Sequence, residues 1–108
     1  MSELERRLEA LRREYVGALA ETVVEARDAF SRVEAGDAGA VEALWHIAHK
    51  TYGTAGSYGL TGVSEAARTL ELVLLPHRND DALPTEVVDS AKGALDAFVA
   101  QADEAART

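Results

Sequence analysis

Apolar residues recur every three or four positions through most of this 108-residue chain, which is the period of a helix that buries one face. The stripes occupy four segments, about Ser2–Glu34, Ala38–Tyr58, Leu60–Leu74 and Pro84–Ala106. Gly36, Gly59 and the loop that begins at Pro76 separate them. Alanine is abundant and clusters of β-branched or aromatic residues are few, so the pattern predicts four amphipathic helices and no sheet.

Local signals predict where the helices begin and end. Ser2 followed by Glu5 is typical of a capping box. Gly36 can take the left-handed conformation that closes a helix, and the Asp37 side chain can cap the next one. Gly17 is the weak point of the long first stripe, which predicts either one kinked helix or a short helix followed by a long one.

Short connections place consecutive helices side by side and antiparallel. The predicted fold is therefore all-α: an antiparallel four-helix bundle with an N-terminal helical extension. A chain of this length is expected to form one domain, residues 1–108.

The charge balance and the missing motifs exclude several functions. Lys and Arg number 11 against 19 Asp and Glu, and a net charge of −8 disfavours binding to nucleic acid or to an anionic membrane. There is no cysteine, and no apolar run is long enough to span a membrane. The charged start does not resemble a signal peptide, so a cytoplasmic location is expected. No glycine-rich phosphate loop is present, which argues against an ATP-dependent kinase.

The second segment carries an unusual polar face. On a helical wheel the core side comprises Leu44, Ile47, Ala48, Thr51, Ala55 and Tyr58. His49 lies almost opposite, and its neighbours are Glu42, Trp45, His46, Tyr52, Gly53 and Gly56. An exposed histidine on a helix usually has no function. Each glycine, however, costs about 1 kcal/mol of helix stability relative to alanine, and a bare surface beside His49 allows another molecule to approach closely.

These residues resemble the signature of histidine-containing phosphotransfer (HPt) domains. The resemblance rests on His49, on Gly53 four residues later, on the small residues 54–57, and on Gly59, ten residues after the histidine. Further along the chain, Ala66, Leu70 and Glu71 fit the third helix of that family.

The resemblance implies a phosphorelay carrier rather than an enzyme with its own ATP site. His49 would accept a phosphoryl group from the aspartyl phosphate of one receiver domain and pass it to the aspartate of another. The implied partners are response-regulator receivers and a hybrid histidine kinase. No cofactor of its own is expected, because the receiver would supply Mg²⁺.

One position departs from the family pattern. The family usually has Lys, sometimes Gln, three residues after the histidine, and this chain has Tyr52. Lys50 is adjacent to His49 but projects about 100° away on the wheel. The expected supporting or docking residues are therefore Tyr52, Gly53, Lys50, Trp45, His46 and Gly56, with Trp45 equally consistent with core packing.

Other interpretations remain open from the sequence. Tyr52 also permits an HPt-like module that binds and sequesters a receiver or kinase without transferring phosphate. Glu42, His46 and His49 share one face, but three ligands over two turns without a second helix are a weak metal-site pattern, and no metal is expected. Nothing in the sequence demands a dimer, so a monomer is the default expectation.

Overall fold

A computed structural model describes residues 1–108. The helices are α1 (Glu3–Glu34), α2 (Ala40–Ser57), α3 (Thr61–Leu74) and α4 (Thr85–Arg107). A short 3₁₀ turn, Leu75–His77, follows α3, and no strand is present. The prediction of an all-α fold with four helices is confirmed.

The first stripe forms one continuous helix of 32 residues, so Gly17 does not divide it. At its start the Ser2 hydroxyl accepts a hydrogen bond from the Glu5 amide at 3.1 Å. The Glu5 carboxylate accepts one from the Ser2 amide at 3.3 Å. The predicted capping box is therefore confirmed, and it satisfies two of the free amides at this end of the helix.

Glycines end two of the helices, and one of the predicted caps is wrong. Gly36 has a φ of +77°, and Gly59, which ends α2, has a φ of +73°. The Asp37 side chain does not cap α2; the residue before that helix is Gly39, with no side-chain cap. Asp37 instead accepts the Ala40 amide on its backbone carbonyl at 3.2 Å, because a tight turn over residues 37–39 replaces the side-chain cap.

The four helices pack in a closed ring, in which α1 and α3 each contact both α2 and α4. The interior is apolar, and its largest fully buried side chains are Phe98, Leu19, Leu44, Leu70, Leu74 and Val41. On α2 the predicted core residues Leu44, Ala48 and Ala55 are buried, and Ile47 is partly buried. This packing fixes which side of α2 faces outward.

The first part of α1 extends beyond the bundle. At about 1.5 Å per residue, 32 residues span roughly 48 Å, close to the 50 Å length of the molecule. Leu4, Leu8 and Leu11 are 66%, 54% and 46% exposed, although their stripe continues into the core at Leu19. Residues 3–14 are named the N-terminal overhang below. None of the four helices, α1 included, combines the length and the hydrophobicity of a membrane-spanning segment.

Candidate functional site

His49 lies in the middle of α2 with its imidazole directed outward, and 55% of its side chain is exposed. Its Nδ1 atom is hydrogen bonded to Oε2 of Glu71, which α3 contributes from 22 positions further along the chain. The Glu71 side chain is only 4% exposed. The hydrogen bond therefore joins an accessible ring to a fixed, buried carboxylate and leaves the Nε2 atom of His49 without a protein partner.

Glu71 is also bound by Arg68, whose Nη1 atom donates to Oε1 at 2.9 Å. Burial by itself raises the pKa of Glu71, but the hydrogen bonds from His49 and Arg68 outweigh it, so the pKa lies below its ordinary value. An ionised Glu71 can only accept hydrogen bonds. In the neutral imidazole the proton must then reside on Nδ1 of His49, and Nε2 carries the free lone pair.

Trp45 fixes the plane of the imidazole. The indole and the His49 ring are stacked, with centroids 4.7 Å apart and planes 9° apart. The guanidinium of Arg78 packs over the same indole, 3.7 Å from its centroid. Trp45 is 7% exposed, which favours core packing over a docking anchor. Two contacts therefore hold the His49 ring, the carboxylate at its edge and the indole on its face.

His46, one turn before His49, is bound differently. Its Nε2 atom lies 2.9 Å from Oε1 of Glu42, in the same helix. Arg78 binds both oxygens of that carboxylate, through Nη2 at 2.8 Å and Nε at 3.0 Å. The hydrogen bond from Arg78 is the main cause that lowers the pKa of Glu42.

The metal-site interpretation does not fit this geometry. A nitrogen of His49 is bound to Glu71, whereas Glu42 binds Arg78 and His46, so the three candidate ligands do not converge. No group of three His, Asp or Glu side chains has an arrangement that could hold a metal ion.

The two glycines near His49 on α2 have different surroundings. A Cβ atom at Gly53 would meet nothing within 4 Å, so the helix surface beside His49 is bare there. A Cβ atom at Gly56 would lie 3.2 Å from the Ser64 hydroxyl of α3, so Gly56 also allows the two helices to pack closely. Tyr52 is 38% exposed, and Lys50 is exposed on the same helix.

Sequence reasoning missed two arginines. The Arg68 guanidinium lies 5.0 Å from the centre of the Tyr52 ring, which brings a positive charge from α3 to the position where the family usually has lysine. The sequence did contain a signal for the pair of Arg68 and Glu71, because Glu71 is a charged residue within the apolar stripe of α3. Arg78 follows the 3₁₀ turn, outside any periodic pattern, and no such signal marks it.

The comparison with protein families agrees with this geometry. The family model for the Hpt domain matches residues 1–105, nearly the whole chain. Neither a curated protein nor a solved structure matches the chain. Hpt domains are phosphotransfer modules that interact with receiver and kinase partners. The chain therefore belongs to the Hpt domain family and is a phosphotransfer module of two-component phosphorelays.

Proposed function

We propose that His49 is the phosphoacceptor of a phosphorelay carrier, which takes a phosphoryl group from the aspartyl phosphate of one receiver domain and gives it to the aspartate of another. The observation that carries this proposal is the hydrogen bond between Nδ1 of His49 and the buried Glu71. It leaves Nε2 as a nucleophile on an exposed ring.

In the forward step the Nε2 lone pair attacks phosphorus, and the bond from phosphorus to the aspartate oxygen breaks. The aspartate leaves as a carboxylate, and the ring gains positive charge. Glu71 accepts the Nδ1 hydrogen throughout and stabilises that charge. Transfer to the second receiver is the same step in reverse, so one site serves both partners. The receiver supplies the Mg²⁺ that phosphoryl transfer uses.

Arg68 supplies the positive charge that Tyr52 does not. Only one of its nitrogens, Nη1, donates to Glu71, and 45% of its side chain is exposed. The remaining guanidinium N–H groups make no hydrogen bond within the protein, and the shared carboxylate keeps Arg68 close to the His49 ring. Arg68 is proposed as a phosphoryl-binding residue in place of the lysine of the family.

The surface around His49 is proposed as the receiver docking face. Gly53 leaves open space one turn after the histidine. Lys50, His46 and Gly56 are exposed on the same helix. A receiver must bring its aspartate within bonding distance of Nε2, and the open space at Gly53 permits that approach.

The experiment is transfer of labelled phosphate from a panel of receiver domains of the source genome, each phosphorylated with acetyl phosphate. Wild type is expected to take up acid-labile, alkali-stable label, and His49→Gln none. His77→Gln is the control and is expected to keep the label, because it removes an imidazole that lies outside the proposed docking face, in the 3₁₀ turn after α3. Label that persists in His49→Gln contradicts the assignment.

The same experiment distinguishes the carrier from a module that only binds its partner. Tyr52 in place of lysine is the observation that favours a module that binds without transfer. A receiver that binds wild type tightly yet transfers no label to it supports the sequestering module and contradicts the carrier.

A further inference from the structure

The N-terminal overhang presents an apolar stripe outside the bundle. Leu4, Leu8 and Leu11 remain largely exposed, and the overhang lies before Tyr15, whose ring stacks on Tyr58 at the end of α2 with centroids 5.0 Å apart. An isolated helix of this length is marginal in water, and helices are stabilised chiefly by packing of their apolar faces. The overhang therefore lacks the partner that the rest of α1 finds in the bundle.

The spacing of this stripe is that of a coiled coil. Leu4, Leu8, Leu11 and Tyr15 are separated by four, three and four residues, which makes two heptads of alternating d and a positions. If two copies pair antiparallel, Leu8 of one copy packs on Leu11 of the other, and Leu4 packs on Tyr15. The two-fold symmetry of the pair makes each of these contacts occur twice. An open hollow of about 380 Å³, lined in part by Leu8 and Tyr58, lies beside this stripe, so the flank of Leu8 towards the end of α2 is unfilled.

The flanking charges select the partner and its direction. The e positions are Glu5 and Arg12, and the g positions are Arg7 and Glu14. In the antiparallel register Glu5 faces Arg12 of the second copy, and Arg7 faces Glu14. In a parallel pair Arg7 would face Arg12, which is repulsive. We propose that the N-terminal overhang is a self-association surface that pairs antiparallel with the overhang of a second copy of this chain.

Two heptads bury less than about 1,000 Å², which is the size of a weak or transient interface. The dimer is therefore weak and concentration-dependent. The proposal is independent of His49, and it replaces the default expectation of a monomer. Arg7 is free to change partners, because its present pairing with Glu3 at 3.2 Å joins two side chains that are 74% and 67% exposed.

The test is sedimentation velocity of the full chain from about 1 µM to 1 mM. Wild type is expected to shift from monomer to dimer. Leu8→Glu is expected to raise the Kd at least tenfold, with circular dichroism and Tm unchanged, because Leu8 lies outside the bundle core. A wild type that stays monomeric throughout, or a Leu8→Glu variant that dimerises equally well, overturns the proposal.

Reversal of single charges tests whether the two overhangs pair antiparallel. Arg7→Glu and Glu14→Arg are each expected to weaken self-association roughly threefold to tenfold, because each places like charges opposite one another. An equimolar mixture of the two variants is expected to recover dimerisation, because both facing pairs are then opposite in sign. Arg13→Glu, which makes the same charge change at the outward f position, is the matched control and is expected to leave the Kd within about twofold. Tighter association of Arg7→Glu alone, or no recovery in the mixture, contradicts the antiparallel pair.

Discussion

Two clusters on neighbouring turns of α2 contain the same kinds of residue and differ in what they leave free. The His49 cluster comprises His49, Glu71, Arg68 and Tyr52. The His46 cluster comprises His46, Glu42, Arg78 and Trp45. Each therefore joins an imidazole, a carboxylate, an arginine and an aromatic ring, yet only the first leaves the Nε2 atom of its imidazole without a protein partner.

The carboxylates make the first difference. Glu71 comes from another helix, is buried, and takes Nδ1 of His49. Glu42 comes from the same helix, is 32% exposed, and takes Nε2 of His46. The carboxylate thus determines which nitrogen of each imidazole remains free. The free nitrogen is Nε2 only in the His49 cluster.

The arginines make the second difference. Arg78 binds both oxygens of Glu42 through Nε and Nη2, and the face of its guanidinium packs on Trp45. Arg68 gives one nitrogen to Glu71 and packs more loosely, 5.0 Å from the Tyr52 ring. Residue type alone therefore does not define the site; the free nitrogen and the free guanidinium do.

After loss of His49 itself, replacement of the two carboxylates by amides is expected to give the largest difference between the two clusters in the rate of phosphoryl transfer. Glu71→Gln is expected to lower the rate of transfer to His49 about tenfold, because a neutral hydrogen bond is roughly half as strong as a charge-assisted one. Glu42→Gln removes a charge of the same sign near His46 and is expected to change the rate less than about twofold. Stopped-flow or quench kinetics with one phosphorylated receiver measures both. Equal losses in the two variants would show that only net charge matters.

The lowered pKa of Glu71 also makes the free energy of unfolding depend on pH. The pKa of Glu71 is lowered by folding, so its contribution to the free energy of unfolding is present above its ordinary pKa of 4.5 and is lost as the pH falls through the lower folded value. The stability difference between wild type and Glu71→Gln is expected to shrink over that range in urea titrations. A difference that stays constant down to pH 2 would contradict the paired, ionised carboxylate.

The bare surface beside His49 gives the next largest expected effect. Gly53→Gln is expected to slow transfer several-fold, because a long side chain one turn away obstructs the receiver, while helix propensity adds up to about 1 kcal/mol of stability. Gly93→Gln in α4 is the matched control, since a Cβ atom there also meets nothing within 4 Å. Transfer kinetics and thermal unfolding separate the two effects. If Gly53→Gln transfers at the wild-type rate, close approach at this position is not needed.

Sequence reasoning predicted the helical bundle and singled out His49 as the candidate phosphoacceptor, and it missed the contacts that depend on tertiary packing. Helical period and the glycines at positions 36 and 59 are local signals, so the helices and their ends could be predicted. Leu4, Leu8 and Leu11 could not be separated from the core by period, because their stripe continues unbroken into it. The length of α1 relative to its neighbours decides where burial stops, and that is a property of the assembled bundle.

The site divides in the same way. The family pattern singled out His49, and the wheel placed it outward. The partner atoms could not be inferred from α2 alone, because Glu71 and Arg68 come from α3 and Arg78 from beyond it. Glu71 was noted only as a match to the third helix. Its contact with Nδ1 depends on how α2 and α3 are rotated against each other, which Gly56 and Ser64 help to set.

The arginines give the smallest expected effect. Arg68→Gln is expected to lower the fraction of phospho-His49 at equilibrium with a receiver about twofold to fivefold, and less so at high salt. Arg78→Gln, which leaves Arg68 in place, is expected to leave that equilibrium nearly unchanged. Tyr52→Lys is expected to raise the fraction modestly, and more in the Arg68→Gln background than in wild type. Equal responses in both backgrounds would show that Arg68 does not act as the missing cation.

In the proposed function Glu71 holds the Nδ1 hydrogen of His49, so that Nε2 is the nucleophile. ¹⁵N NMR of the histidine rings, before and after phosphorylation by a receiver, measures which nitrogen carries the hydrogen and which the phosphoryl group. We expect a neutral His49 ring protonated at Nδ1, and a phosphoryl group attached to Nε2 with its direct phosphorus–nitrogen coupling there. A phosphoryl group on Nδ1, or a neutral ring protonated at Nε2, would contradict it.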